Sequence, residues 1–196
     1  PFIALALLDD PALHRRASET YAAARFRGTE IASPFVGHAK PDRIRIGYYS
    51  ADFHDHATAY LIAELIEKHD RGRFDCTAFS FGPDRPDGMR RRLTASFERF
   101  VDVRARSDRE IVGLSREHGI DIAIDLKGYT RDSRPTLFAG RCAPVQASYL
   151  GYPGTIGARH IDYIIADSVV IPDGSRRHYS EKVVRLPGCY QANDTR

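Results

Sequence analysis

From Ile44 onward, apolar runs of strand length alternate with amphipathic runs of helix length, and this alternation limits the chain to few folds. IRIGYYS (44–50) precedes a stretch with Leu61, Ile62, Leu65 and Ile66 at helical spacing, and FDCTAFSF (74–81) precedes a charged helix over about 86–98. FVDV (100–103) leads to a helix from about Asp108 to His118, and IDIAIDL (120–126) to a short helix near Pro135 to Ala139. VQASYL (145–150) is followed by DYIIAD (162–167). Strands and helices in this rhythm are joined by right-handed crossovers, which give a parallel sheet covered on both faces. The predicted class is α/β, a Rossmann-like parallel sheet with helices on both faces. Such sheets bind ligands where loops leave the carboxyl ends of the strands.

Before the sheet, an acid followed by proline opens the segment from Asp10 to Phe26, as at a helix start, and Ala12, Leu13, Ala17, Tyr21 and Ala24 recur at near-helical spacing. Gly28 to Asp42, rich in small, proline and polar residues, reads as a linker. The expected organisation is a helical segment and linker over 1–40 and a sheet domain over 41–196. With 42% hydrophobic and 28% charged residues, the 196-residue chain can bury one sizeable core. Pro1 in place of methionine and the closing Asp-Thr-Arg are expected of a piece of a longer chain.

The net charge of +3 is spread over interleaved basic and acidic residues, so no continuous basic face for nucleic acid is expected. The cluster Arg90, Arg91 and Arg92 reads as a solvated helix face. No apolar run approaches the roughly 20 residues that span a bilayer, so no membrane partner is expected. Cys76, Cys142 and Cys189 are odd in number and widely spaced, which argues against disulfides and structural zinc and makes a reducing cytoplasm the expected location.

Three loops at strand ends carry the candidate chemistry. After the first strand stand Asp52, His54, Asp55, His56 and Thr58, with no glycine between Gly47 and Gly72. A dinucleotide-binding turn needs glycines there, so NAD and FAD are not expected. An imidazole at a helix start can take a proton or contact a phosphate, while Asp55 or Thr58 could simply cap the helix. After the fourth strand come Gly128, Tyr129 and Thr130. Asp125, inside the apolar run, needs a partner. After the fifth strand, Gly151, Gly154 and Gly157 with Pro153 impose an unusual backbone path while offering Tyr152 and Thr155 to a ligand.

These loops, in this order, resemble the glycosyltransferase family that contains O-GlcNAc transferase and SPINDLY. The resemblance rests on RIRIGYYSADFHDHAT, GIDIAIDLKGYT, APVQASYLGYPGTIGARHIDYIIAD and YSEKVVRLP, which span about Pro41 to Pro187. It implies the N-terminal domain of a GT-B fold, with the opening PFIALALLDDPALHRRA similar to the segment that follows tetratricopeptide helices. It implies inverting transfer of N-acetylglucosamine from UDP-GlcNAc to serine or threonine hydroxyls of a protein or peptide acceptor, without metal or other cofactor. The sugar nucleotide would be held mainly by a second domain, so the 196 residues alone are not expected to turn over. His56 falls on a family histidine that acts as base or acceptor-positioning group, and Asp52, Thr58, Gly128, Tyr129, Thr130, Tyr152, Pro153, Gly154 and Thr155 are the expected substrate-binding positions. The loop departs from the family's His-Pro-Thr at Ala57, and Tyr60 stands where some members carry a second histidine. His54 has no such counterpart and is expected at the surface.

Rival readings exist for the same loops. Asp52 to Ala57 nearly spells the cobalamin motif DxHxxG, but Ala57 replaces its glycine. A receiver domain would use Asp125 as phosphoacceptor, yet no lysine lies between Lys127 and Lys182. Asp52, His54 and His56 could form a metal site only with a distant further ligand. A non-catalytic binding domain of the same fold is the remaining alternative.

Overall fold

The computed structural model describes residues 1–27 and 42–196. The six expected strands form at β1 (Ile44–Ser50), β2 (Phe74–Ser80), β3 (Arg99–Asp102), β4 (Ile122–Asp125), β5 (Val145–Tyr149) and β6 (Tyr163–Ala166). A further edge strand, β7 (Lys182–Arg185), pairs with β6; its short KVVR pattern is half exposed and carried no strand signal of its own. All neighbouring pairs are parallel, in the order β3-β2-β1-β4-β5-β6-β7. The expected linker, Gly28 to Asp42, lies outside the described residues except for Asp42.

Helix starts follow local chemistry. α2 (Pro11–Arg25) begins with Pro11 behind the Asp10 cap, whose carboxylate accepts the Leu13 N–H. α5 (Asp108–Glu117) opens with a reciprocal Ser107 and Glu110 capping box. The other helices are α1 (Phe2–Leu7), α3 (Ala57–Glu67), α4 (Gly88–Ser96) and α6 (Thr136–Ala139), with a 3-10 turn at Asp173–His178.

Two cores flank the sheet. On one face Ile62, Ala63 and Ile66 of α3 and Leu93 of α4 pack on Tyr48, Ala78 and Ile124; on the other, α2, α5 and α6 bury Ala22, Ile111 and Phe138 against Tyr49, Phe79 and Ala123. The N-terminal helix α2 therefore shares a core with the sheet. Its Tyr21 ring stands edge-on to Tyr129 at 5.0 Å, and Phe26 stands edge-on to His160 at 4.6 Å.

Two surface expectations are corrected by this packing. Arg90 is buried and donates to Ser80 Oγ and the Phe53 carbonyl, while Arg92 is paired with both Glu67 and Asp194. Arg90 and Arg92 thus tie α4 to the ends of the strands and to the C-terminal residues, because guanidinium can satisfy several carbonyls and carboxylates at once, while Arg91 stays exposed as expected. His54, expected at the surface, is 7% exposed.

Candidate active site

The strand order reverses direction between β1 and β4: the chain runs outward from β1 through β2 and β3, then returns to lay β4 on the opposite side of β1. The loops after these two strands depart toward opposite faces and leave a crevice at their carboxyl ends, the usual ligand site of such sheets.

The loop after β1 is held from several sides. The Asp52 N–H donates to Ser50 Oγ at 2.9 Å, and the Asp55 N–H donates to Asp87 Oδ2 at 2.9 Å. Asp87 is itself the cap of α4 through its other oxygen. At the end of the loop, His56 caps α3: its Nδ1 accepts the Thr58 N–H at 3.2 Å. The capping role expected of Asp55 or Thr58 thus belongs to the histidine, and Thr58 is a buried first-turn residue. The His56 side chain remains 42% exposed.

Behind His56 lies a buried ion pair that sequence reasoning missed. Lys127 Nζ donates to Asp52 Oδ2 at 2.6 Å, with the two side chains 5% and 8% exposed. The same carboxylate oxygen is 3.6 Å from His56 Nδ1, beyond hydrogen-bond range. The available signal was a lysine at the end of an apolar strand in a chain with only four, facing an acid at the end of the neighbouring strand. Among the described residues no group of three His, Cys, Asp or Glu side chains could hold a metal ion.

After β4, Asp125 Oδ1 accepts the N–H groups of Lys127 and Gly128 at 2.9 and 3.1 Å. Burial outweighs these bonds and raises its pKa from 3.8 to about 6. The folded chain therefore holds this proton more tightly than the unfolded chain, and its protonation adds stability as pH falls through about 6, levelling off below 3.8. Asp125→Asn keeps the acceptor and removes the buried charge. The expected result is a gain of about 1–3 kcal/mol at neutral pH and loss of this part of the pH dependence, read by urea denaturation at several pH values. A variant less stable than the parent at neutral pH, with the pH slope intact, would contradict this.

Gly128 has φ of +54°, and a Cβ there would lie 2.5 Å from Tyr152 Cβ. Gly128→Ala is expected to cost about 2–4 kcal/mol, combining left-handed strain and overlap. An unchanged urea midpoint would refute that account. The same close approach fixes the β5 loop against the β4 loop, so all three candidate loops meet along one rim.

Their side chains then divide. Asp52, His56 and Lys127 gather at the switch point, whereas Tyr129 and Tyr152 join the core under α2. Tyr129 is 8% exposed and donates to the Ile156 carbonyl at 2.6 Å; Tyr152 is 2% exposed, with its hydroxyl 3.4 Å from Ser18 Oγ. Thr155 is buried and donates to Glu181 Oε2 at 2.6 Å, while Glu181 Oε1 accepts the Ile156 N–H. Burial raises the Glu181 pKa above the usual carboxylate value. Gly154 is buried against the Tyr152 ring. Of the remaining candidates, Thr130 is partly exposed and closes its turn onto the Lys127 carbonyl, and Pro153 is exposed, its carbonyl accepting from Tyr179. A cavity of about 710 Å³ lies elsewhere, between α2 and the Arg141 and His160 region.

With this geometry in view, similarity to known proteins becomes informative. The description "Glycosyl transferase family 41" matches residues 31–196. An Arabidopsis thaliana protein described as "Probable UDP-N-acetylglucosamine--peptide N-acetylglucosaminyltransferase SEC" is 36% identical over 99% of this chain. A Caenorhabditis elegans UDP-N-acetylglucosamine--peptide N-acetylglucosaminyltransferase is 35% identical over 78% of it. The solved structure of a mutant Thermobaculum terrenum O-GlcNAc transferase superposes on 97% of the chain with a TM-score of 0.88 and 33% identity. The chain spans 21% and 13% of those two relatives and 37% of the solved chain. The sheet is accordingly the Rossmann-like domain of a GT-B fold, and cobalamin or receiver readings do not fit the family found. Sheet order, loop sequences and a match over residues 31–196 agree, and the chain belongs to glycosyl transferase family 41.

Proposed function

We propose that this chain is the N-terminal, acceptor-side half of the catalytic region of an inverting protein O-glycosyltransferase. The reaction moves N-acetylglucosamine from UDP-GlcNAc to serine or threonine hydroxyls of a protein or peptide, with the nucleotide held mainly by a second, downstream domain. The observation that carries this reading is the half-exposed His56, fixed at the start of α3 in the switch-point crevice. A side chain so placed can contact the hydroxyl that attacks the sugar or the group that leaves. The loops carrying Gly128 to Thr130 and Tyr152 to Thr155 support the crevice, chiefly through backbone shape.

The proposed reaction needs no metal or other cofactor, and the proposed location is the cytoplasm, consistent with three unpaired cysteines. No helix of the described residues is long and apolar enough to cross a membrane. The test compares the 196-residue chain with its full-length parent protein, using radiolabelled UDP-GlcNAc and a serine-rich peptide. Transfer by the parent and none by the 196 residues alone is expected. Robust turnover by the short chain, or none by the parent with any peptide or UDP-sugar tried, would count against the reading.

A further inference from the structure

We propose that Lys127 is a positioning residue that sets the tautomer of His56, so that the imidazole meets its ligand as a hydrogen-bond donor through Nε2–H. A neutral imidazole carries one N–H and one acceptor nitrogen, and the partner of Nδ1 decides which is which. Two groups compete for Nδ1. The Thr58 N–H can only donate and requires a lone pair there; the Asp52 carboxylate can only accept and requires a proton there.

The distances favour Thr58. Its N–H lies 3.2 Å from Nδ1 with hydrogen-bond geometry, whereas Asp52 Oδ2 is 3.6 Å away and is engaged by the Lys127 ammonium at 2.6 Å. An ammonium on that oxygen weakens its pull on an imidazole proton. Lys127 is itself buried and its ammonium is spent on Asp52, so its influence on His56 passes through that carboxylate. The remaining charged neighbours do not intervene. His54, 5.9 Å away between ring centroids, directs its Nδ1 to the Asp55 carbonyl, and Asp87 accepts from the Asp55 and Arg90 N–H groups. Among the described residues His56 Nε2 has no hydrogen-bond partner, which leaves its N–H for the crevice.

Removing the ammonium leaves Asp52 buried and unpaired, and the nearest proton it can draw is one on His56 Nδ1. The catalytic meaning of this switch rests on the function proposed above, but the tautomer does not. Long-range proton–nitrogen correlation spectra of the 15N-histidine-labelled chain, taken near pH 8 where an ordinary imidazole is neutral, read it directly, with His56→Gln assigning the signals. The parent is expected to show an unprotonated Nδ1 and a protonated Nε2. In Lys127→Met the Nδ1 signal is expected to move to the protonated position, and in Lys127→Met with Asp52→Asn to return.

A parent protonated at Nδ1, or a folded Lys127→Met variant with an unchanged signal, overturns the proposal. If the methionine variant does not fold, Lys127→Gln retains a donor without charge and is expected to move the signal in the same direction; a folded glutamine variant that leaves it unchanged also overturns the proposal. Because no substrate is present, a full-length parent without transferase activity would count against the function while the expected spectra still support the tautomer.

Discussion

Replacing His56 with alanine in the full-length parent protein is expected to lower kcat for the proposed peptide glycosylation about 100- to 1,000-fold, the usual loss when one preorganised donor is withdrawn from developing charge. The KM for UDP-GlcNAc stays within a few-fold, since the nucleotide is proposed to sit mainly on the second domain. The same substitution removes the cap of α3, where the Thr58 N–H would lose its acceptor, and costs about 0.5–2 kcal/mol of stability. The two effects separate in His56→Ser and His56→Asn. Serine and asparagine are good caps, so stability is expected to recover while kcat does not. Steady-state kinetics beside thermal denaturation read both. An alanine variant with kcat within threefold of the parent would show that the crevice does its chemistry without this imidazole.

The second large effect is on folding. Lys127 and Asp52 are 5% and 8% exposed and bonded at 2.6 Å, and removing one member of such a pair strands the other charge in a low-dielectric site. Lys127→Met and Asp52→Asn are each expected to destabilise, the methionine variant by about 3–5 kcal/mol. For a chain of this size that lowers the thermal midpoint by about 10 °C. The double variant is expected to lose less than Lys127→Met alone, because no uncompensated charge remains and the pair's own net contribution is small. Urea denaturation of the four proteins gives the coupling directly. Strictly additive losses would mean that the two side chains do not depend on one another and would remove the physical basis for a link between Lys127 and His56.

The secondary structure of this chain was legible because it is encoded over short distances. Apolar runs of strand length and period-3.6 patterns placed six strands and the main helices, and the Asp10–Pro11 start of α2 was read from adjacent residues. The strand KVVR was missed because it lies at the sheet edge, with alternate residues exposed and too few positions to reveal a period. The three loops were legible as a group for the same local reason, since each follows a recognisable strand.

The site itself was only half legible. His56 was picked out as a candidate from residue type and position, but the ion pair behind it was not, because Lys127 lies 75 residues from its partner Asp52 along the chain. Tyr129 and Tyr152 looked like ligand-facing aromatics in glycine-rich loops, yet both rings are drawn into the core by α2, whose Tyr21 and Ser18 meet them. The arginines at 90–92 read as a solvated face; Arg91 is exposed as expected, whereas Arg90 and Arg92 proved to be ties within the fold.

What the sequence alone determined, then, was the alternation of elements, the start of α2 and the strand ends from which the candidate loops leave. What only the tertiary structure decided was strand order, the Lys127 and Asp52 pairing, and the inward turn of the two tyrosines. Backbone periodicity and capping depend on neighbours a few residues apart, whereas the choice among many possible charge partners and packing surfaces is made by the geometry of the assembled sheet.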